Sequence, residues 1–371
     1  IYRFKKIKKI AYLPFHIVFA LAWFYLIFQL PRIERPMTER IPMNLYFIPA
    51  QYFEEKKEIL KHRAEFEGQV FCSENKPIVV LIIGETLRAD HLGLNGYERN
   101  TTPMLEKEDV ISFQNIYSEE TNTSPSVAHI LTRADSIHPE LAYSERSFVD
   151  LFKKCGYYTM WLANQEPAGA YIYFMQECDT LIYGQINKSY YSWDKWTDEL
   201  LLPPFDSITQ STDESRLIIM HTIGSHWYYN THFTADFQRF NPITKSRITS
   251  SNTSEEMINS YDNTVLFTDY FIVQVISRLK NKNAVVFYLS DHGEALGENG
   301  VWLHANNVEG AHKPACMVWL SEKYKADNTQ RYKTLKQNAQ KHYRTDFVFH
   351  TILESANIES EVINKEMSLF Y

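Results

Sequence analysis

The apolar run Ala284-Val285-Val286-Phe287-Tyr288-Leu289 leads straight into Ser290-Asp291-His292-Gly293-Glu294. An uninterrupted run of β-branched and aromatic residues predicts a strand buried on both faces, as in parallel sheets covered by helices. In open α/β sheets the chemistry gathers at the carboxyl ends of the strands. There this chain places a carboxylate, an imidazole, a glycine and a second carboxylate in succession. An earlier run, Ile78-Val79-Val80-Leu81-Ile82-Ile83, ends the same way, in Gly84-Glu85-Thr86. Two buried strands that both end in metal-type ligands point to an α/β enzyme that depends on a metal.

From Cys72 onward the remaining pattern alternates. Strands are predicted over 157–162, 217–220 and 317–320, and helices over 144–155, 255–280 and 346–355. In the longest helix Met257, Tyr261, Val265, Phe267, Phe271, Val275 and Leu279 recur near helical spacing. Such alternation predicts a mostly parallel central sheet with helices on both faces.

The first residues differ from the rest. Arg3, Lys5, Lys6, Lys8 and Lys9 precede an apolar stretch over 10–30 that contains no Asp, Glu, Lys or Arg. About 20 apolar residues span a bilayer. The positive-inside rule then keeps the basic cluster in the cytoplasm and places all that follows outside it. A signal peptide and a buried core helix are the competing readings, the latter because Pro14 and His16 weaken the span. This divides the chain into residues 1–33, a basic flank and transmembrane helix; 34–70, an amphipathic connector broken by Pro36, Pro42 and Pro49; and 71–371, a catalytic domain in the periplasm. The connector either lies in the membrane interface or straps the globular domain.

With 371 residues the chain can build one large core plus an appendage. A net charge of −7, without a zinc-finger or RNA-binding motif, carries no nucleic-acid signature. An extracytoplasmic location permits disulfides. Cys155, in a predicted helix, and Cys316, beside a predicted strand, read as buried thiols; a Cys72–Cys178 bridge is then the pairing to consider.

Zinc takes carboxylate oxygens and imidazole nitrogens, and a catalytic site keeps one position for substrate or nucleophile. Glu85, Asp291 and His292 would supply three ligands, and a hydroxyl the fourth. Coordination would lower that hydroxyl's pKa and make it a nucleophile. The stretch Thr121-Asn122-Thr123-Ser124-Pro125-Ser126 precedes a helical pattern. A Thr or Ser there would meet backbone N–H groups suited to phosphoryl oxygens. The histidines of His221-Thr222-Ile223-Gly224-Ser225-His226, and His304 downstream of the second ligand run, suit a phosphate or a second metal. Each piece alone has a plainer reading, as an N-cap or a hydrogen-bonded core histidine; their order and spacing together make the site.

Gly84-Glu85-Thr86-Leu87-Arg88-Ala89-Asp90, continuing through Gly96-Tyr97-Glu98-Arg99-Asn100-Thr101-Thr102-Pro103, resembles the opening signature of bacterial phosphoethanolamine transferases. These are inner-membrane enzymes of the alkaline phosphatase and sulfatase superfamily. Further matches are Thr121-Asn122-Thr123 with Ser126-Val127, His221 to His226, Tyr261-Asp262-Asn263 with Thr268-Asp269, and Ser290 through His304. The resemblance covers 76–356 and implies a sulfatase-like sandwich around the sheet. It singles out Thr123 as the nucleophile that carries phosphoethanolamine, with Glu85, Asp291 and His292 binding zinc together with Thr123. His226 and His304 would bind the phosphate or a second zinc ion, with His221 and Asn164 as further candidates around the substrate. The implied donor is phosphatidylethanolamine and the implied acceptor a lipopolysaccharide, at a lipid A phosphate or a core sugar. Trp161-Leu162-Ala163-Asn164-Gln165 is more similar to the core-modifying branch. Many members bracket the nucleophile loop with a disulfide; Glu119 and His129 stand at roughly those places, which implies that packing holds the loop.

One rival is a phosphoglycerol transferase, sulfatase or other superfamily hydrolase acting on a cell-envelope glycan. A sulfatase needs a C/S-x-P-x-R setting, and Ser124-Pro125-Ser126 has no arginine at that offset. The other rival is a membrane-anchored binding domain without catalysis.

Overall fold

The computed structural model describes residues 13–33, 63–165, 169–184, 194–210 and 215–371. The basic residues 3–9 and most of the 34–70 connector lie outside the described residues. The chain divides into two units, residues 1–61 and 62–371.

The second unit is organised by a seven-stranded sheet. Its strands are β1 (Ile78–Gly84), β2 (Val110–Phe113), β3 (Tyr158–Ala163), β4 (Thr180–Tyr183), β5 (Arg216–His221), β6 (Ala284–Ser290) and β7 (Cys316–Leu320), in the spatial order β2-β7-β6-β1-β5-β3-β4. The five strands from β6 to β4 pair in parallel, as the alternation predicts. The strand expected over 317–320 departs from that pattern: β7 is antiparallel to both β6 and β2, so the sheet is mixed. The reason is local. The chain leaving β6 stays at the edge it has just reached, with Ser290 N donating to Ala315 O at 2.9 Å. A strand that starts there must run back.

The helices named below are α1 (Leu13–Ile33) in the first unit, then α2 (Thr123–Leu131), α3 (Phe148–Lys154), α4 (Gly169–Glu177), α5 (Leu202–Thr209), α6 (Ser254–Leu279) and α7 (Phe347–Ser355), with shorter or peripheral ones at Leu141–Ser144, Glu322–Asp327 and Thr329–Asn338. Side chains alternate across β1. Val79, Leu81 and Ile83 join one cluster with residues of α2, α3, α4 and α7, including Val127, Phe152, Phe174 and Phe349. Ile78, Val80 and Ile82 join another with residues of α5 and α6, including Phe205, Phe271 and Val275. A capping box between Thr253 and Glu256 starts α6.

The middle of the predicted 10–30 span is helical in α1, where Phe15, Phe19, Leu21 and Phe24 are exposed. Among the described residues, however, no helix is long and apolar enough to cross a membrane; α1 includes His16, Gln29 and Arg32. The cysteine pairing needs correction. Cys72 bonds to Cys155, and Cys178 and Cys316 are free. The sequence pattern predicts Cys155 inside a helix over 144–155, but α3 stops at Lys154 and Cys155 is its C-cap, turned toward the strand Val70–Cys72.

Candidate active site

Strand register builds the site. Gly84 on β1 is the partner of Ser290 on β6, so the next residues on each strand, Glu85 and Asp291, leave the sheet side by side. Asp291 N donates to Gly84 O at 3.1 Å, which extends the pairing one step past the ladder. Both side chains, and that of His292, are completely or almost completely buried.

Each of the three side chains has one atom satisfied and one left over. Asp291 Oδ1 accepts from His292 N at 2.8 Å and Thr86 N at 3.3 Å. Glu85 Oε2 accepts from Thr123 Oγ1 at 3.0 Å and Gln165 Nε2 at 2.8 Å. His292 Nδ1 lies 2.8 Å from Gly293 O; a carbonyl only accepts, so Nδ1 carries the proton and Nε2 presents its lone pair. The remaining atoms, Glu85 Oε1, Asp291 Oδ2 and His292 Nε2, are buried without a hydrogen-bond partner. His292 Nε2 is 3.5 Å from Glu85 Oε1 and 3.4 Å from Asp291 Oδ2, and the three residues can offer ligand atoms all within 4.8 Å of one another.

Buried polar atoms are nearly always paired. Three acceptors converging without a donor are the arrangement a cation would complete, and two carboxylate oxygens with one neutral imidazole suit zinc. The electrostatics agree. Burial, followed by the neighbouring Asp291 charge, pushes the Glu85 carboxyl well above its ordinary range. Burial pushes Asp291 up to about 7 and holds His292 down to about 3. Two buried carboxylates face to face resist ionisation unless a positive charge sits between them.

Thr123 opens α2, directly after Asn122 in extended conformation (φ −148°, ψ 153°). Its hydroxyl reaches Glu85, so the loop and the strand end meet across 38 residues of sequence. Helix N-termini leave backbone N–H groups without intrahelical partners. Where the resemblance implies a bracketing disulfide in other members, Glu119 pairs with Arg344, and His129 Nδ1 lies 3.0 Å from Pro125 O within α2. His304 lies beside this group, its ring centroid 5.0 Å from that of His292 and 5.4 Å from that of His226. Burial would lower the His304 pKa, but buried Glu294, whose Oε1 is 3.7 Å from His304 Nδ1, outweighs it and raises the pKa to about 9. His226 is held neutral by burial.

Two candidates from the sequence are engaged elsewhere. Asn164 donates to Asp198 Oδ1 at 2.8 Å and Thr197 O at 3.2 Å, and accepts from Trp196 Nε1 at 2.8 Å. His221 is packed edge-on against Trp161 and Tyr171, with both ring nitrogens unpartnered. The residue that does reach the group is Gln165, one position further on. It bridges Glu85 Oε2 and Thr222 O, and only its place beside Asn164 in the motif pointed to it.

Two backbone features hold Glu85. Gly224 (φ +47°) packs so closely that a Cβ there would lie 2.9 Å from both the N and the O of Glu85, and Ser225 N donates to Glu85 O at 3.0 Å. Asp198 fixes that loop by accepting from the N–H groups of Ile223 and Gly224. The strand does not continue past Gly84: Thr86 turns into the left-handed region (φ 54°), a conformation that costs a β-branched residue about 1–3 kcal/mol and collects at functional sites.

The sulfatase family profile matches residues 77–358. Among curated proteins the chain is 34% identical over 292 residues, 76% of this chain and 51% of the relative, to the Kdo(2)-lipid A phosphoethanolamine 7''-transferase of Escherichia coli K12. It spans about half the length of the curated relatives it matches. The soluble domain of lipooligosaccharide phosphoethanolamine transferase A from Neisseria meningitidis superimposes with a TM-score of 0.75 at 30% identity, covering 83% of this chain and 97% of that one. The integral membrane form of the same enzyme gives 0.75 at 28%, covering 96% and 69%. On the profile match and the near-complete overlap with that soluble domain, the chain belongs to the sulfatase family, among the phosphoethanolamine transferases.

Proposed function

We propose that this protein transfers phosphoethanolamine from phosphatidylethanolamine to a lipopolysaccharide acceptor through a covalent intermediate on Thr123. The observation that carries the reading is the Thr123 hydroxyl at 3.0 Å from Glu85, at the rim of three buried, unpaired ligand atoms. The relatives named above take Kdo(2)-lipid A or lipooligosaccharide by their names, which favours an acceptor of the lipopolysaccharide class, at lipid A or at a core sugar.

Glu85, Asp291 and His292 would hold one zinc ion; His304 and His226 stand where a phosphate or a second ion would bind. Bound zinc would lower the pKa of the Thr123 hydroxyl and offset the paired carboxylates. Glu85 Oε2 accepts the Thr123 proton and aims Oγ1 at the phosphorus. Oγ1 forms the new P–O bond as the bond to the diacylglycerol oxygen breaks, and that oxygen takes a proton from solvent while Glu85 keeps the one from Thr123. His304, protonated beside Glu294, can donate to the phosphoryl oxygens, together with N–H groups at the start of α2. An acceptor oxygen then attacks the same phosphorus as the P–Oγ1 bond breaks; the acceptor's proton passes to solvent, and Glu85 returns its proton to Thr123.

The lipid donor suits a protein anchored at the inner membrane with residues 71–371 in the periplasm. The exposed apolar side chains of α1 and the membrane form of the Neisseria enzyme support that placement, and the Cys72–Cys155 disulfide fits an oxidising compartment. Peptide mass mapping after incubation with a phosphatidylethanolamine analogue should find the adduct on Thr123 and none in Thr123→Ala. An adduct on Thr121 or Thr86, or undiminished turnover in Thr123→Ala, would overturn the mechanism.

A further inference from the structure

The stretch Tyr261-Asp262-Asn263 lies in the middle of α6, and the site above leaves it without a task. Tyr261 is fully buried. Its hydroxyl donates to Thr86 O at 2.7 Å and accepts from Arg88 N at 2.8 Å. It therefore bonds the chain on both sides of Leu87, directly after the left-handed turn at Thr86. That turn touches both carboxylates. Thr86 N is a donor to Asp291 Oδ1, which leaves Oδ2 as the atom turned to the cluster, and Thr86 is the next residue after Glu85. A threonine released from this conformation relaxes to φ below zero. Its peptide group then rotates, Asp291 Oδ1 loses a donor, and the carbonyl end of Glu85 swings with it.

The rest of α6 supports the same segment. Asp262, also fully buried, receives Tyr97 Oη at 3.1 Å and Arg99 Nη1 at 2.8 Å and lies 2.8 Å from His91 Nδ1. Asp269 accepts from the N–H groups of Met104 and Leu105. One side of this helix thus organises the chain from 86 to 105, and Tyr261 is the contact nearest the ligands.

We propose that Tyr261 is a positioning residue. Its hydroxyl holds Thr86 in the left-handed turn that aims Glu85 and Asp291 at a common cation. This deepens, and rests on, the reading of Glu85, Asp291 and His292 as a zinc site. Tyr261→Phe keeps the ring and its edge-on contacts with His91 and Tyr229, so the variant should fold. Zinc-loaded full-length protein is titrated with a chelating dye. Loss of a supporting partner of metal ligands typically weakens affinity by about 10–100-fold, and Tyr261→Phe should surrender zinc at a dye concentration lower by about that factor. Transfer should lose kcat while KM for the phosphatidylethanolamine analogue stays unchanged.

The second arm uses Thr86→Gly. Glycine adopts positive φ freely, so the turn no longer needs to be held, and adding Tyr261→Phe to it should change zinc retention far less than in the parent. A residue that merely packs the core would produce the same loss in both backgrounds. That result, or parental zinc retention in Tyr261→Phe, overturns the proposal. Zinc retention involves no phosphoryl transfer, so a parent that holds zinc but transfers nothing sinks the functional reading and leaves this one standing.

Discussion

Glu85 shows how much one side chain depends on its neighbours. Its carboxylate is shared between Thr123 and Gln165 on one oxygen and left open on the other. Glu85→Gln removes one negative ligand and makes Oε2 or its replacement a donor against Gln165. Zinc retention should fall by at least about tenfold, in line with losses at metal ligands' own supports, with the fold intact because the residue sits at the sheet's rim. Metal analysis by mass spectrometry checks this; full occupancy after dialysis against chelator would remove Glu85 from the ligand set. Gly224 makes a different kind of claim. A Cβ at 2.9 Å from the Glu85 backbone, on a residue at φ +47°, is both a clash and a left-handed strain. Gly224→Ala should lose more than about 2 kcal/mol, the range of overpacked and strained substitutions. A urea midpoint equal to the parent's would mean that the loop from 222 to 226 stands further from Glu85.

At the scale of elements, α6 holds the segment after β1 through carboxylates it buries. Asp269 accepts two backbone N–H groups, yet burial pushes its pKa from an ordinary 3.8 up to about 7. In the unfolded chain this carboxyl loses its proton near pH 4; in the folded protein it keeps it until near pH 7. Between those values the native state binds more protons, so this group's contribution to stability falls as pH rises from about 4 to about 7, and is lowest above 7. Asp269→Asn retains an acceptor oxygen and cannot ionise. Relative to the parent, its urea midpoint should therefore rise steadily from pH 4 to pH 7 and level off above. A difference that stays flat across that window would show that Asp269 titrates normally.

For the molecule as a whole, the Cys72–Cys155 bridge joins positions 83 residues apart, pinning the strand Val70–Cys72 to the end of α3. Chain-entropy estimates for a loop of that size give roughly 4.5 kcal/mol. Cys155→Ala should lower the urea midpoint by a corresponding amount, and reductant should do the same to the parent while leaving the variant unchanged. Cys178→Ala should leave the reductant effect in place; its disappearance would restore the Cys72–Cys178 pairing.

Legibility in the sequence follows the range of the interactions involved. The strands β1 and β6, the carboxylates and imidazole at their ends, and the long helix α6 are legible because apolar runs and 3.6-residue spacing are local signals, and because a strand's end announces itself by a change of residue type. The mostly parallel sheet followed from alternation, which is also local, and the exception at β7 did not, since direction depends on where the chain between β6 and β7 stays. Gln165 and Asn164 differ by one residue and point to different partners. Which of them meets Glu85 depends on where β3 stops, and sequence places element ends only to within a few residues. Cys155 fell to the same uncertainty at the end of α3. The strain at Thr86, its clamp by Tyr261, and the hydroxyl of Thr123 set against Glu85 join residues 38 to 175 positions apart. No periodicity encodes such contacts. They arise because register aligns Gly84 with Ser290, and because burial leaves polar groups at the sheet's edge no partners other than one another.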